Sequence, residues 1–355
     1  MKNILIKGDN VAGLNWLIEN GYQGKVDLVY IDPPFATGGT FSVDDNGRVA
    51  TISKSEKSVV AYKDTLQGTE FIDFLRERIK LIYKLLSEQG SFYLHIDYKI
   101  GHYVKVMLDE IFGVDNFRND ITRIKCNPKN FSRIGYGNIK DMILFYTKGK
   151  NPIWNEPRIE HSEEDQKRLY SKIDKDGRRY TTVPIHAPGE TKDGKTAQAF
   201  KGIYPPKGRH WRCSVEELEE LDKKGLIEWS EKGNPRKINY ADEMLGKKVQ
   251  DIWDFKDSMY PDYPTQKNPD MLSLIISASS NENSIVMDCF CGSGSTLKVA
   301  QNMGRNWIGI DQSDVAIEIT KKAISQDLSL FSSNDGFDYY ELLPNALPRM
   351  QQKEE

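Results

Sequence analysis

The chain has 355 residues, a formal net charge of −3, 38% hydrophobic and 28% charged residues, which predict a globular protein with a sizeable core. No run approaches the roughly 18–20 consecutive apolar residues of a membrane span, and residues 1–8 lack the pattern of a signal peptide. Four cysteines without paired Cys-x-x-Cys spacing argue against structural zinc or a disulfide framework. We therefore expect a cytoplasmic protein with no metal centre and no membrane association.

Charge is distributed unevenly along the chain. Residues 118–250 carry 28 lysines and arginines against 20 acidic residues, whereas the remainder carries 21 against 32. Such asymmetry predicts a phosphate-facing segment carried on an acidic body. A solvated lysine-rich surface would give the same counts, and this alternative stays open.

The first predicted strand is Asn3–Lys7, which ends in Gly8 and Asp9 and is followed by a helix near residues 11–18. Aspartate at that position suits a helix N-cap, because its side chain accepts hydrogen bonds from the first free amides of the helix.

The next apolar run, Val26–Ile31, predicts a buried parallel strand. Pro33 and Pro34 cannot continue a central strand, so they predict a stiff turn at its carboxyl end, where open α/β sheets bind ligands. Asp32 and a proline-constrained carbonyl could accept the two hydrogens of a nucleobase amine, and Phe35 could stack on the ring. A strand stop with a core phenylalanine is the alternative.

Residues 36–63 are rich in Gly, Ser, Thr and Asp without sustained periodicity, which predicts a long loop. We interpret this loop as a mobile lid over the strand end. Apolar periodicity then predicts helices at 69–87 and 100–112 and strands at 92–96 and 142–146.

From about residue 150 to 250 the chain is crowded with prolines, glycines, tryptophans and arginines, and Ser214 begins a capping box for a short helix. Arginine reads guanine in a bidentate manner, whereas lysine mostly meets phosphates as a point charge. Arg209, Arg212 and Arg236 are therefore candidate DNA contacts, with ordinary surface arginines as the alternative.

A second strand–loop–helix signal starts near residue 284. The strand ends in Asp288, a Gly-x-Gly loop at Gly292 and Gly294 follows, and Thr296 lies at the start of a helix. A further strand ends in Asp311, roughly 20 residues beyond the loop, the spacing at which a carboxylate binds ribose hydroxyls in a nucleotide-binding βαβ unit.

These motifs together resemble the S-adenosylmethionine-dependent DNA amino-methyltransferases. The catalytic motif precedes the cofactor loop, an order that resembles the β class and, within it, the modification subunits of type III systems and their stand-alone relatives. Further matches are residues 8–10, 263–267 and 305–311. The chain departs from the family pattern at Phe35 (usually tyrosine), at Cys289 (usually proline) and at Pro269, a proline displaced by one position.

The resemblance implies an α/β fold: a Rossmann-like methyltransferase sheet with helices on both faces and a circularly permuted motif order. Residues 1–149 would form the catalytic half with the lid at 36–63, and residues 251–328 the cofactor-binding half. Between them, residues 150–250 would be a target-recognition insertion. The polar and irregular sequence of residues 329–355 predicts a C-terminal tail whose last residues are loose.

The resemblance also implies site residues, with S-adenosyl-L-methionine as the cofactor. The catalytic residues would be Asp32, Pro33, Pro34 and Phe35. The cofactor-binding residues would be those of its matched motifs: Asp9, Asn10, Gln266, Lys267, Asp288, Cys289, Phe290, Gly292, Gly294, Thr296 and Asp311. Asp9 would face the adenine edge of the cofactor, and Lys267 with the first amides of the following helix would hold its carboxylate.

The function that follows is methyl transfer to the N6 amine of a flipped adenine in double-stranded DNA, since aspartate before Pro-Pro resembles the adenine-N6 enzymes more than the cytosine-N4 ones. Cytosine-N4 methylation stays open, as do a DNA-reading subunit that acts only with a restriction partner and an RNA methyltransferase. A homodimer and a restriction subunit are further partners that the resemblance allows.

Overall fold

The polypeptide forms two compact units in a computed structural model that describes residues 2–34, 40–43, 49–50, 59–63, 68–128, 132, 134–231, 233–244, 246–256, 267–328, 336–342 and 349–350. Unit 1 combines Met1–Pro157 with Gln250–Glu355, and unit 2 is Arg158–Val249. Unit 2 is therefore a continuous segment inserted into the sequence of unit 1.

The described helices are α1 (Asn10–Glu19), α2 (Gly68–Leu85), α3 (Tyr98–Phe112), α4 (Glu163–Leu169), α5 (Val215–Lys223), α6 (Pro269–Ser279), α7 (Ser295–Asn302) and α8 (Asp314–Leu328). Short 3-10 turns lie at Val114–Asn116 and Ala241–Glu243. None of the helices in the described part of the chain is long and apolar enough to cross a bilayer.

The described strands of unit 1 and unit 2 are, in chain order, β1 (Asn3–Lys7), β2 (Val26–Ile31), β3 (Thr40–Val43), β4 (Val49–Ala50), β5 (Val59–Lys63), β6 (Leu86–Ile96), β7 (Phe117–Ile124), β8 (Lys140–Thr147), β9 (Arg158–Ile159), β10 (Lys172–Ile173), β11 (Arg179–Pro184), β12 (His186–Pro188), β13 (Arg209–Trp211), β14 (Ile227–Trp229), β15 (Pro235–Tyr240), β16 (Lys247–Lys248), β17 (Ile252–Asp254), β18 (Ile285–Asp288), β19 (Asn306–Asp311), β20 (Phe337–Glu341) and β21 (Arg349–Met350).

Unit 1 is built on a sheet whose described strands follow the order β17-β7-β8-β6-β2-β18-β19-β1-β20-β21. Its centre is parallel, because β18 pairs in parallel with both β2 and β19, and β19 pairs in parallel with β1. Strands β6 and β20 extend this parallel core on either side, whereas β8 and β21 run in the opposite direction. The predicted Rossmann-like α/β fold is confirmed.

Side chains of β2 alternate between the two faces of the sheet. Val29 and Ile31 belong to the core formed with α1, α2 and α3. Tyr30 points to the opposite face, where its strand neighbour Tyr93 hydrogen-bonds Ser279 of α6 at 2.8 Å. Helices therefore cover both faces of the sheet.

Unit 2 contains a four-stranded sheet in the order β10-β11-β15-β14 and the hairpin β12–β13. Its core is formed by the buried side chains of Ile185, Phe200, Trp211, Leu218 and Ile227. Helix α5 carries the predicted capping box, in which Ser214 accepts from Glu217 N and Glu217 accepts from Ser214 N.

The structure differs from the sequence expectations at four segments. The helix predicted to reach residue 87 ends at Leu85, because Leu86 pairs with Val26 and starts β6. Residues 150–157 belong to unit 1, where the Asn155 side chain bonds the Ser277 and Ser280 carbonyls, although the insertion was predicted to begin at 150.

Two predicted irregular segments also contain strands. The lid segment 36–63 contributes β3, β4 and β5, which pair as an antiparallel sheet, while its other residues lie outside the described part of the chain. The tail contributes β20, which extends the main sheet beside β1. There Tyr340 contacts the Trp16 ring and Phe337 contacts the Trp307 ring, so aromatic packing accounts for its order.

Candidate active site

Three aspartates end three adjacent strands of the parallel sheet. Asp32 follows β2, Asp288 ends β18 and Asp311 ends β19. Because carboxyl ends of parallel strands meet at one edge, these carboxylates gather on the ligand-binding edge of the sheet. Burial raises the pKa of Asp288 to about 7, and the charges of Asp32 and Asp311 add to this effect. Three carboxyl groups therefore lie close together at this edge of the sheet, and their proximity and burial favour the neutral form of Asp288.

Asp288 is 3% exposed and holds the turn that follows it. Its Oδ1 accepts from Phe290 N at 3.0 Å, and its Oδ2 accepts from Thr296 Oγ1 at 2.7 Å. The predicted loop residues Asp288, Phe290 and Thr296 are therefore joined by direct hydrogen bonds.

The pKa of Asp288 predicts a pH-dependent stability. The folded-state pKa of about 7 lies above the ordinary value of 3.8, so protonation stabilises the fold. This contribution is complete below about pH 4, declines by about 1 kcal/mol per pH unit and is lost as the pH rises through about 7. We expect the melting temperature of Asp288→Asn, relative to the wild type, to rise between pH 5 and pH 7.5. A constant difference across this interval would contradict the prediction.

The glycine loop makes a sharp turn into α7. Gly292 and Gly294 have φ of 52° and 75°, a left-handed conformation that favours glycine. A Cβ at Gly294 would also lie 2.8 Å from the Thr320 side chain, whose hydroxyl donates to Gly292 O at 2.9 Å. The loop backbone is therefore held at the sheet edge, where it can approach a ligand closely.

Both cysteines of this loop are buried. Burial raises the pKa values of the Cys289 and Cys291 thiols well above the ordinary value, and the nearby aspartates add to the shift. Thiols in this state are poor nucleophiles. The two loop thiols are therefore not activated as nucleophiles.

Asp311 connects the glycine loop to the end of β19. Its Oδ2 accepts from Gly292 N at 2.9 Å, and its Oδ1 accepts from Ser313 N at 2.9 Å. Each carboxylate oxygen can accept more than one hydrogen bond, so both retain capacity for a ligand hydroxyl. Burial raises the pKa of Asp311 above its ordinary value.

Arg78 was not predicted, and it joins two predicted site residues. Its guanidinium donates to Asp9 Oδ2 at 3.1 Å and, in a short contact, to Asn10 Oδ1. Its Cζ atom also lies 3.6 Å from the centre of the Phe74 ring. Asn10 in turn donates to Cys289 O at 3.3 Å, which connects β1–α1 to the glycine loop. The sequence feature that could have identified Arg78 is its position within the apolar stripe of α2.

Replacing Arg78 by methionine would remove two hydrogen bonds to Asp9 and Asn10 while keeping an apolar side chain in the stripe. Because these partners lie next to the glycine loop, we expect cofactor binding to weaken by about 1–3 kcal/mol in calorimetry. Arg76→Met removes the same charge elsewhere on α2, where Arg76 pairs with Glu110, and should leave the affinity unchanged. Equal effects of both variants would contradict a specific role for Arg78.

The motif predicted to be catalytic lies at the end of β2. Pro33 is buried and Pro34 partly buried, while Phe35 and Gln266 lie outside the described residues. Asp32 Oδ2 lies 2.6 Å from Lys267 Nζ, and Asp32 Oδ1 is buried without a hydrogen-bond partner among the described residues. The motif therefore presents one unsatisfied buried acceptor at the ligand-binding edge.

The start of α6 differs from the expectation that its first amides would hold the cofactor carboxylate. Asn268 caps the helix, and its Oδ1 accepts from Asp270 N and Met271 N, while Pro269 has no N–H. These amides are already occupied, and the Lys267 ammonium binds Asp32 instead.

A buried polar chain lies beside β2, on the face opposite the α1–α3 core. The Tyr30 hydroxyl contacts His95 Nδ1 at 2.9 Å, and His95 Nε2 contacts Asp141 Oδ2 at 3.2 Å. Lys125 Nζ also lies 2.5 Å from Asp141 Oδ1. Burial lowers the pKa of His95. Burial alone would raise the pKa of Asp141, but the hydrogen bonds that Asp141 accepts from His95 and Lys125 hold its pKa well below the usual range.

In unit 2 the three predicted arginines lie near His186: Arg209 Nη1 is 3.1 Å from His186 Nδ1, Arg212 N donates to Ile185 O at 2.8 Å, and Arg236 pairs with Pro184 between β15 and β11. Burial lowers the pKa of His186, and the positive charges of Arg209, Arg212 and Arg236 lower it further. Arg209 and Arg212 are exposed, whereas Arg236 donates to Thr182 Oγ1 at 2.8 Å and to Thr182 O at 2.6 Å. Arg212 also lines a cavity of about 780 Å³ together with Lys224 and Lys237.

The family of N6/N4 DNA methylases matches residues 26–322, which include the predicted catalytic motif at Asp32 and the glycine loop. This match covers most of the chain, and the chain therefore belongs to this family of DNA methylases. Members of the family use S-adenosylmethionine as the methyl donor.

Similar proteins include restriction-modification methyltransferases. The chain is 40% identical over 328 residues to the type II methyltransferase M.EcaI of Enterobacter cloacae, covering 91% of this chain and 69% of that protein. It is 25% identical over 390 residues to the type III enzyme EcoPI Mod subunit of Escherichia phage P1, covering 91% and 59%. The crystal structure of the M1.HpyAVI–SAM complex aligns with 90% of this chain and 98% of that chain, at 18% identity and a TM-score of 0.47. The chain thus spans part of the length of both curated relatives.

Proposed function

We propose that this protein methylates the exocyclic N6 amine of adenine in double-stranded DNA, with S-adenosylmethionine as the donor. The observation that carries the proposal is the buried Asp32 Oδ1, which lacks a partner among the described residues at the end of β2. It lies on the strand next to β18 and its glycine loop, so an acceptor for the amine adjoins a site for the donor.

The chemistry requires that the amine become a better nucleophile, because its lone pair is delocalised into the base. Asp32 Oδ1 and the Pro33 carbonyl would accept its two hydrogens and concentrate electron density on nitrogen. When bound, S-adenosylmethionine supplies a methyl group made electrophilic by its sulfonium. After transfer, Asp32 or water takes the proton that the nitrogen loses. The buried cysteines of the loop are not required.

The residues around the glycine loop fit this donor. Asp311 would bind the ribose hydroxyls, Phe290 and Asp9 would lie at the adenine, and Gly292 and Gly294 would allow close approach of the backbone. Asn10, Cys289 and Thr296 would hold this arrangement through the contacts described above.

The target base has to leave the duplex to reach Asp32, and Phe35 would stack on it.

Adenine is the proposed target base, because an aspartate before Pro33-Pro34 resembles the motif of the adenine-N6 enzymes. Cytosine, methylated at N4, is the second candidate. Mass spectrometry of nucleosides from methylated DNA separates the two, since N6-methyladenine and N4-methylcytosine differ in mass. Methylation of RNA in preference to duplex DNA in the same assay would reject the proposal.

We propose that unit 2 reads the DNA sequence, because its three candidate arginines lie close to one another: Arg209 contacts His186, the amide of Arg212 bonds the neighbouring Ile185 carbonyl, and Arg236 pairs with Pro184. Replacement of a base-reading arginine by glutamine should cost about 1–3 kcal/mol at one position of the site and relax specificity there. Arg212 is the sharpest test, because Arg209 also contacts His186 at 3.1 Å and Arg236 also bonds Thr182.

The matched control is Lys224→Gln, which removes one lysine charge that would contact a DNA phosphate and not a base. It should weaken all sequences alike and reduce the salt slope by about one unit. If Arg209→Gln and Arg212→Gln both retain wild-type specificity and salt dependence, recognition lies outside this cluster. Sequencing the methylated bases of a host that expresses the protein identifies the site to be used in these assays.

The proposal extends to location and partners as expectations. A DNA methyltransferase of this kind would act in the cytoplasm, as a homodimer or beside a restriction subunit. Size-exclusion chromatography with light scattering measures the first of these assemblies directly.

A further inference from the structure

An ion pair joins the end of β2 to the residue before α6. Lys267 Nζ lies 2.6 Å from Asp32 Oδ2, and the two side chains are 11% and 15% exposed. Charge-assisted hydrogen bonds are short and directional, and partial burial protects them from the screening that weakens surface pairs. The pair therefore restrains rotation of the Asp32 carboxylate about its Cβ–Cγ bond.

The backbone of Lys267 is itself fixed by the helix that follows. Asn268 caps α6 through Asp270 N and Met271 N, and its side-chain amide donates to Lys256 O at 3.0 Å. A lysine attached to a capped helix start can hold its partner in a defined geometry, which a lysine on a free loop cannot.

We propose that Lys267 is a positioning residue for Asp32: it holds Oδ2 and thereby directs Oδ1 toward the amine that receives the methyl group. The inference rests on the proposed function, because it takes the amine as the partner of Asp32. Lys267 also compensates the carboxylate charge without taking part in proton transfer. The nitrogen–methyl bond forms as the methyl–sulfur bond breaks with its electron pair left on sulfur, and the nitrogen's proton passes to Oδ1 or water.

Single-turnover methylation of unmethylated genomic DNA with tritiated S-adenosylmethionine tests the role. Lys267→Met should slow the chemical step by about 10- to 100-fold, because Asp32 Oδ1 would no longer be aligned with the amine that receives the methyl group. The Kd for S-adenosylmethionine, measured by calorimetry, should change far less. Lys267→Arg should recover most of the rate, since it retains the cation. Lys25→Met removes the same charge at the opposite end of β2 and should react like the wild type.

A second measurement does not depend on activity. Unfolding of Lys267→Met, Asp32→Ala and the double variant forms a double-mutant cycle, because each single variant removes the interaction, and a real ion pair makes the two effects non-additive. Additive effects would overturn the pairing. A loss of cofactor affinity as large as the loss of rate in Lys267→Met, or an unchanged rate, would overturn the positioning role. Absence of methylation by the wild type would instead reject the proposed function, while the cycle would still test the pair.

Discussion

Asp32→Ala is expected to lower the rate of methyl transfer by about 10²- to 10⁴-fold, the usual contribution of a positioned acid–base group. The reason is that the alanine variant retains the Pro33 carbonyl but loses the second acceptor, so the amine lone pair stays in the ring. S-adenosylmethionine affinity should stay close to the wild-type value, because Asp32 faces the amine. Single-turnover kinetics and calorimetry on the same preparation separate the two quantities.

Asp32→Asn serves as the structural control for this experiment. It keeps the shape of the side chain and an oxygen that can accept from Lys267, so it should fold like the wild type and still react slowly. Turnover near the wild-type level in either variant would remove Asp32 from the catalytic role.

Asp311→Ala is expected to weaken S-adenosylmethionine binding by about 1–3 kcal/mol, the cost of leaving buried polar partners unpaired. In the structure those partners are the amides of Gly292 and Ser313, and in the complex they would include the ribose hydroxyls. Isothermal calorimetry measures the change directly.

Asp314→Ala is the matched control, because Asp314 lies three residues later with a side chain that is 79% exposed and pairs with Lys7. It should bind the cofactor like the wild type. Unchanged affinity in Asp311→Ala would mean that Asp311 supports the loop without holding the ribose, and the βαβ interpretation would need revision.

The sequence was sufficient to predict the acidic edge of the sheet. Asp32, Asp288 and Asp311 each end an apolar run, and the carboxyl ends of parallel strands must meet at one edge.

The contacts of Arg78 and Lys267 could not be predicted, because they depend on how helices are rotated and capped. The position of Arg78 in an apolar stripe predicts that its side chain is buried, but it does not predict that Asp9 and Asn10 are its hydrogen-bond partners. Lys267 and the first amides of α6 were assigned to the cofactor from their motif. That the Asn268 side chain accepts from those amides depends on its rotamer, which the sequence does not determine. The Tyr30–His95 bond likewise joins neighbouring strands 65 residues apart.

The pairing of β2 with β18 has a consequence for biosynthesis. Ile285 N bonds Asp27 Oδ2 across 258 residues of sequence, so β2 leaves the ribosome long before its partner exists. At usual elongation rates the interval is on the order of ten to fifty seconds. Unit 2 is made within that interval and can bury its own core first. A nascent or prematurely terminated chain that carries the Asp32 motif but lacks β18 has no edge at which the proposed donor and acceptor could meet, so we expect such fragments not to methylate DNA.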